Sequence, residues 1–73
     1  MLKRLKELRI NNNYSESHVA NYLNIEVKKY ISYENGLSVP TIKELSLLAK
    51  LYNTSIDYIV EETDVKKPNK KNN

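Results

Sequence analysis

Lys28 and Lys29 stand side by side, with Val27 just before them and Ser32 three and four residues further on. In a helix, residues three or four apart share a face, so two cations and a hydroxyl would project together from one short segment. Such a face donates hydrogen bonds and carries positive charge; its chemistry is the recognition of an anionic surface, not bond-making. Nothing else in the chain points to covalent chemistry. There is no cysteine, and His18 is the single histidine, which leaves no metal-ligand cluster and no Cys/His or Ser/His/Asp arrangement. His18 is read as solvated, on the outer side of its helix. One glycine cannot build a phosphate-cradling loop. No enzyme, cofactor or small-molecule effector is expected.

The rest of the composition bounds what can hold that face in place. Seventy-three residues allow one small domain with a compact core. One glycine and two prolines supply too few turns for a β-rich fold. No apolar run approaches the roughly 20 residues a membrane span needs, so a cytoplasmic protein is expected. Twelve Lys/Arg against nine Asp/Glu give a net charge of +3, unevenly placed. Lys3, Arg4, Lys6 and Arg9 crowd the first ten residues, whereas Asp57, Glu61, Glu62 and Asp64 lie in a stretch without a cation. That alternation leaves room for a basic face on a nearly neutral body. The bias toward Asn, Lys, Ile and Tyr fits a low-GC bacterial or phage genome. The six tyrosines fall mostly at helix-packing positions and are read as core.

Hydrophobic periodicity predicts five short helices, an all-α fold. Leu2, Leu5 and Leu8 mark the first, over 2–12, ended by Asn11-Asn12-Asn13. Ser15 caps a second over 16–23, with Val19, Ala20 and Leu23 on one face. Asn24 supplies a left-handed turn into a third over 27–34, which stops at Asn35-Gly36. Thr41 and Glu44 form a capping box opening a fourth over 42–52, with Ile42, Leu45, Leu48, Ala49 and Tyr52 inward. Ser55 caps a fifth over 56–62, with Ile56, Ile59 and Val60 inward. The folded domain is expected to span 1–63, with 64–73 a disordered basic tail. Residues 16–35, two short helices and a turn of about four residues, have the spacing of a helix-turn-helix. Val19, Leu23, Ile25 and Tyr30 lock the pair, leaving Val27, Lys28, Lys29 and Ser32 outward.

These residues resemble the lambda-repressor-like, Cro/Xre-type helix-turn-helix family. The resemblance runs ungapped from about Leu5 to Val60. Leu5-Lys6-Glu7-Leu8-Arg9 is similar to the opening of the family's first helix. The segment from Val19-Ala20 to Leu23-Asn24-Ile25 resembles its second helix and turn, and Tyr33-Glu34-Asn35-Gly36 with Pro40 its exit from the third. Leu45, Leu48-Ala49 and the run Ser55-Ile56-Asp57-Tyr58-Ile59 resemble helices four and five. The resemblance implies a sequence-specific DNA-binding transcriptional regulator, a repressor by preference. Val27, Lys28, Lys29 and Ser32 would read bases in the major groove, while Ser17, Tyr33, Asn35, Ser38 and Thr41 would hold phosphates. It also implies an Arg9–Glu34 ion pair. One such helix covers few base pairs, so a homodimer on a near-palindromic operator is expected, joined through helix five at Tyr58, Ile59 and Val60.

A second reading keeps the fold without the DNA. Glu16 and Glu26 stand where the family carries residues friendlier to phosphate, and the connector Leu37-Ser38-Val39 is uncharged. On that reading the chain is a protein-interaction module, such as an antitoxin or adaptor.

Overall fold

A computed structural model describes residues 2–60. Five helices follow one another: α1 (Lys3–Asn11), α2 (Glu16–Leu23), α3 (Val27–Glu34), α4 (Ile42–Leu51) and α5 (Ile56–Val60). Among the described residues there is no strand. The two last residues expected in the fifth helix, the expected domain end at 63 and the basic tail lie outside the described residues.

Local chemistry explains where each helix starts and stops. The Ser15 side chain accepts from the His18 amide at 3.0 Å, and Ser55 accepts from the Tyr58 amide at 3.1 Å. Thr41 and Glu44 close a reciprocal capping box. Between the helices, Asn13, Asn24 and Asn53 take φ of 60°, 62° and 54°, doing with asparagine what a chain with one glycine cannot do with glycine. Gly36, at φ 78°, handles the remaining left-handed turn. α1 and α3 begin differently: neither Leu2 nor Glu26 makes a side-chain cap.

The helices pack α2 on α3, α4 on α5, and α1 across both α3 and α5. Leu5, Val19, Tyr30, Tyr33, Leu48 and Ile59 form the centre of the core, which also takes in Ala20 of α2. Tyr22 ties α2 to α4 by donating to the Leu47 carbonyl. Among the described residues no helix is long and apolar enough to cross a membrane.

Two packing expectations need correction. Ile42 is 72% exposed, because it is the first residue of α4, where the core-facing stripe begins only at Leu45. Val60 turns outward while Ile59 is fully buried, so one turn of α5 suffices to fill its share of the core. Arg4, one of the cations crowded into the first ten residues, is buried at 3% exposure, its guanidinium 4.4 Å from the centre of the half-buried Tyr58 ring. A cation over an aromatic face explains how that charge tolerates burial.

Candidate nucleic-acid interface

The segment that would meet a ligand is α3, and its two faces differ sharply. Tyr30, Tyr33 and Glu34 are buried, while Val27, Lys28, Lys29 and Asn35 at its C-terminal end are exposed. This follows from the 3.6-residue period: 30, 33 and 34 share one side, 28, 29 and 32 the other. Val27 is 38% exposed, an aliphatic surface beside two free-standing ammonium groups.

Two side-chain bridges fix the orientation of α3. From α1, Arg9 Nε donates to Glu34 Oε2 at 2.7 Å and Nη2 to Oε1 at 3.3 Å. The same guanidinium donates through Nη1 to the Tyr14 carbonyl at 3.1 Å, and lies 3.9 Å from Glu16 at the start of α2. One arginine thus joins α1, α2 and α3. The Glu34 hydrogen bond raises the Arg9 pKa despite partial burial. From α4, Glu44 Oε1 accepts from the Tyr33 hydroxyl at 2.7 Å and from the Thr41 amide at 3.0 Å. Burial pushes the Glu44 carboxyl up, but the bonds from Tyr33 and Thr41, with Lys29 nearby, hold it below its ordinary value. In return, burial first and Glu44 second push the Tyr33 hydroxyl up to about 12.

Behind these bridges lie two more tyrosines. The Tyr30 and Tyr52 hydroxyls are buried with no hydrogen-bond partner among the described residues. Burial raises both, Tyr52 to about 12, and the Glu34 carboxylate beside them pushes the same way.

The structure gives several expected contact residues other tasks. Tyr33 is 1% exposed with its hydroxyl held by Glu44, so in this structure it anchors α3 to α4. Thr41 Oγ1 accepts from the Glu44 amide at 3.1 Å, and the Glu44 carboxylate already occupies the N-terminus of α4. A phosphate there would meet a negative charge instead of open amides. Ser32 donates to the Lys29 carbonyl at 2.6 Å and is bonded to Ser38 Oγ. The Leu37 and Ser38 amides both donate to the Ser32 carbonyl, at 2.9 and 3.3 Å. Ser32 and Ser38 therefore clip the end of α3 to its connector. Val27, Lys28, Lys29, Ser17 and Asn35 keep outward side chains.

The structure thus brings Arg9 and Glu34 together, and gathers Val27, Lys28 and Lys29 at one end of α3. Sequence reading missed Glu44 as the anchor of Tyr33, because the capping box already accounted for that residue. It missed Ser38 as partner of Ser32, because a bond across six residues of turn leaves no periodic trace. The link from Arg9 to Glu16 had a signal, a carboxylate opening α2, that went unused.

Against known proteins, the helix-turn-helix family model matches residues 5–59. The chain is 37% identical over 59 residues to the HTH-type transcriptional regulator AnsR of Bacillus subtilis, covering 81% of this chain and 51% of AnsR. It is 37% identical over 67 residues to the HTH-type transcriptional regulator ImmR of the same organism, covering 92% of this chain and 53% of ImmR. A more distant relative is the cryptic phage CTXphi transcriptional repressor RstR of Vibrio cholerae, 26% identical over 84% of this chain and 55% of RstR. The chain spans about half the length of these relatives. No solved structure gives a significant match. With five helices in order, an α2–turn–α3 unit, and a family match over 5–59, the chain belongs to the Cro/C1-type helix-turn-helix family.

Proposed function

We propose that this protein is a sequence-specific DNA-binding transcriptional regulator, acting as a repressor in a bacterial or phage setting. The observation that carries this reading is the outer face of α3: Val27, Lys28 and Lys29 exposed on a helix locked by Arg9–Glu34 and Tyr33–Glu44. A helix of this width enters the major groove, where lysine donates to guanine O6 and N7 and an aliphatic side chain meets a thymine methyl. Ser17 on α2 and Asn35 at the end of α3 are placed to hold flanking phosphates. The names of the relatives, regulators and a phage repressor, support the same role. The function is recognition and not catalysis. The work is done in the cytoplasm by two copies on a near-palindromic operator, because one eight-residue helix reads too few base pairs alone.

The test is binding to a site selected from random DNA, followed across ionic strength. Each lysine on a phosphate releases counterions, so affinity should fall steeply between low and physiological salt. Affinity indifferent to salt would falsify this reading. A second reading, a protein-interaction module, is favoured by the Glu44 carboxylate at the α4 N-terminus, which removes one phosphate site. Failure to shift any DNA at low salt would establish that alternative over the first.

A further inference from the structure

Asn13, Asn24 and Asn53 take the left-handed backbone that their turns require, but Asn35 does not. At φ −89° and ψ 0° it closes α3 in a conformation open to any residue, and the left-handed step falls on Gly36 at φ 78°. The Asn35 side chain is exposed and makes no hydrogen bond among the described residues. It lines an open groove with Lys6 and Ile10 of α1, so water reaches its amide carbon. The chain has a single glycine, so Asn35-Gly36 is its only Asn-Gly pair.

We propose that Asn35-Gly36 is a self-modifying site, where the asparagine converts to aspartate and isoaspartate and the end of α3 thereby loses its hold on DNA. The conversion stands on the residue pair and its exposure; its consequence rests on the DNA-binding reading above. The chemistry needs only water. The Gly36 nitrogen gives up its proton and attacks Asn35 Cγ. The N–Cγ bond forms, the Cγ–Nδ2 bond breaks, and ammonia leaves with that proton. Water then opens the succinimide ring at either carbonyl. One opening leaves a carboxylic acid on the side chain; the other leaves a chain that continues through Cγ. Nothing is oxidised or reduced. Glycine permits the attack because it has no Cβ to obstruct the nitrogen.

The fold sets the rate. With ψ at 0°, the Gly36 nitrogen lies beside the Asn35 nitrogen and away from Cγ, and its N–H donates to the Tyr33 carbonyl at 3.3 Å. Ring closure therefore waits until the last turn of α3 opens, a local event far smaller than global unfolding. The bonds of Leu37, Ser38 and the Ser38 hydroxyl to Ser32 oppose that opening. The product then loses what the asparagine offered. A donor amide becomes a carboxylate, which repels phosphate. The isoaspartyl form also adds a backbone carbon where the connector is in register with α3.

The full chain, held in warm and mildly alkaline buffer, tests this by peptide mass mapping and by DNA binding. Conversion should appear at Asn35 before any other asparagine, and should run several-fold faster in urea. It should also run faster in Ser32→Ala, which loosens the turn. Conversion that starts elsewhere, or none at Asn35, overturns the site; equal rates in the folded and unfolded chain overturn the control by the turn. Converted protein, separated by ion exchange, should bind the selected DNA at least about tenfold more weakly than fresh protein. Asn35→Gln, whose longer side chain would have to close a larger ring, should keep its own starting affinity over the same period. Equal affinity of converted and fresh protein, or a parallel decline in Asn35→Gln, overturns the consequence and leaves DNA binding intact. A parent that shifts no DNA from the start overturns the DNA-binding reading and the consequence together, while mass mapping still decides the site.

Discussion

The two ends of α3 are built on opposite plans. Its first turn is held by little: Glu26 supplies no side-chain cap, and Val27, Lys28 and Lys29 stand in solvent. Its last turn is tied on every side, by Glu34 to α1, by Tyr33 to α4 and by Ser32 to the connector. The reading end keeps its polar groups unengaged so that they meet a ligand. The anchored end holds the backbone still, so a helix of eight residues presents those groups in one orientation. Rigid support behind exposed donors lowers the cost of ordering them on binding.

Cutting the strongest tie should produce the largest effect. Glu34→Ala leaves Arg9 with a half-buried charge and loses the bidentate bond; stability should fall by about 3–5 kcal/mol, seen as a lower thermal midpoint. A variant as stable as the parent would show that the anchored end needs no ion pair.

Next in size is Tyr33→Phe, which removes a hydrogen bond to a carboxylate and should cost roughly 1.5–3 kcal/mol. This tie also has a pH signature. The folded state holds Glu44 below its ordinary value of 4.5, so its contribution is fully present above that value and is lost as pH falls through the lowered one. Tyr33 and Tyr52 run the other way: raised from 10.0 to about 12, they keep their contribution below pH 10 and lose it as pH climbs toward 12. The parent should therefore weaken in both acid and alkali, and Glu44→Gln should flatten the acid limb and, through Tyr33, soften the alkaline limb to a smaller degree. An unchanged acid limb in that variant would exclude Glu44 as its source.

At the reading end, the effects should appear in binding and leave the melt untouched. Lys28→Ala should cost about 1–3 kcal/mol on the selected site and relax preference at one position. Lys29 sits in the field of Glu44, on the α4 side of the helix, which inclines it to a flanking strand. Its alanine variant should weaken all sequences alike and reduce the salt slope by about one. If Lys29→Ala changes the selected consensus and Lys28→Ala does not, the two roles are exchanged.

The smallest effect belongs to the clip. Ser32→Ala removes a hydroxyl that bonds to Lys29 and Ser38, and should cost about 1 kcal/mol of stability. Since the hydroxyl is turned to the connector, the base preference should stay as it is. A shifted consensus would restore Ser32 to the reading face.

By itself the sequence determined nearly all the local structure. Every helix start that rests on a side-chain cap, at Ser15, Thr41 and Ser55, and the left-handed turn at Asn24 were legible, because those signals act within four residues. Lys28 and Lys29 were legible as an outward pair because periodicity alone places them opposite Tyr30 and Tyr33. Arg9 with Glu34 came from family resemblance, since no local rule links residues 25 apart. Only the tertiary structure decided which polar atoms are already engaged. Tyr33, Thr41, Ser32 and Ser38 have the chemistry of phosphate or base ligands, yet each is bonded to another part of the protein. It also decided that Arg4 is buried over Tyr58 while Leu37, Val39 and Ile42 are not buried at all. The reason is common to both: residue type states what a side chain can bond, but what it does bond depends on which groups the packing of α1, α3, α4 and α5 brings within three ångströms or so.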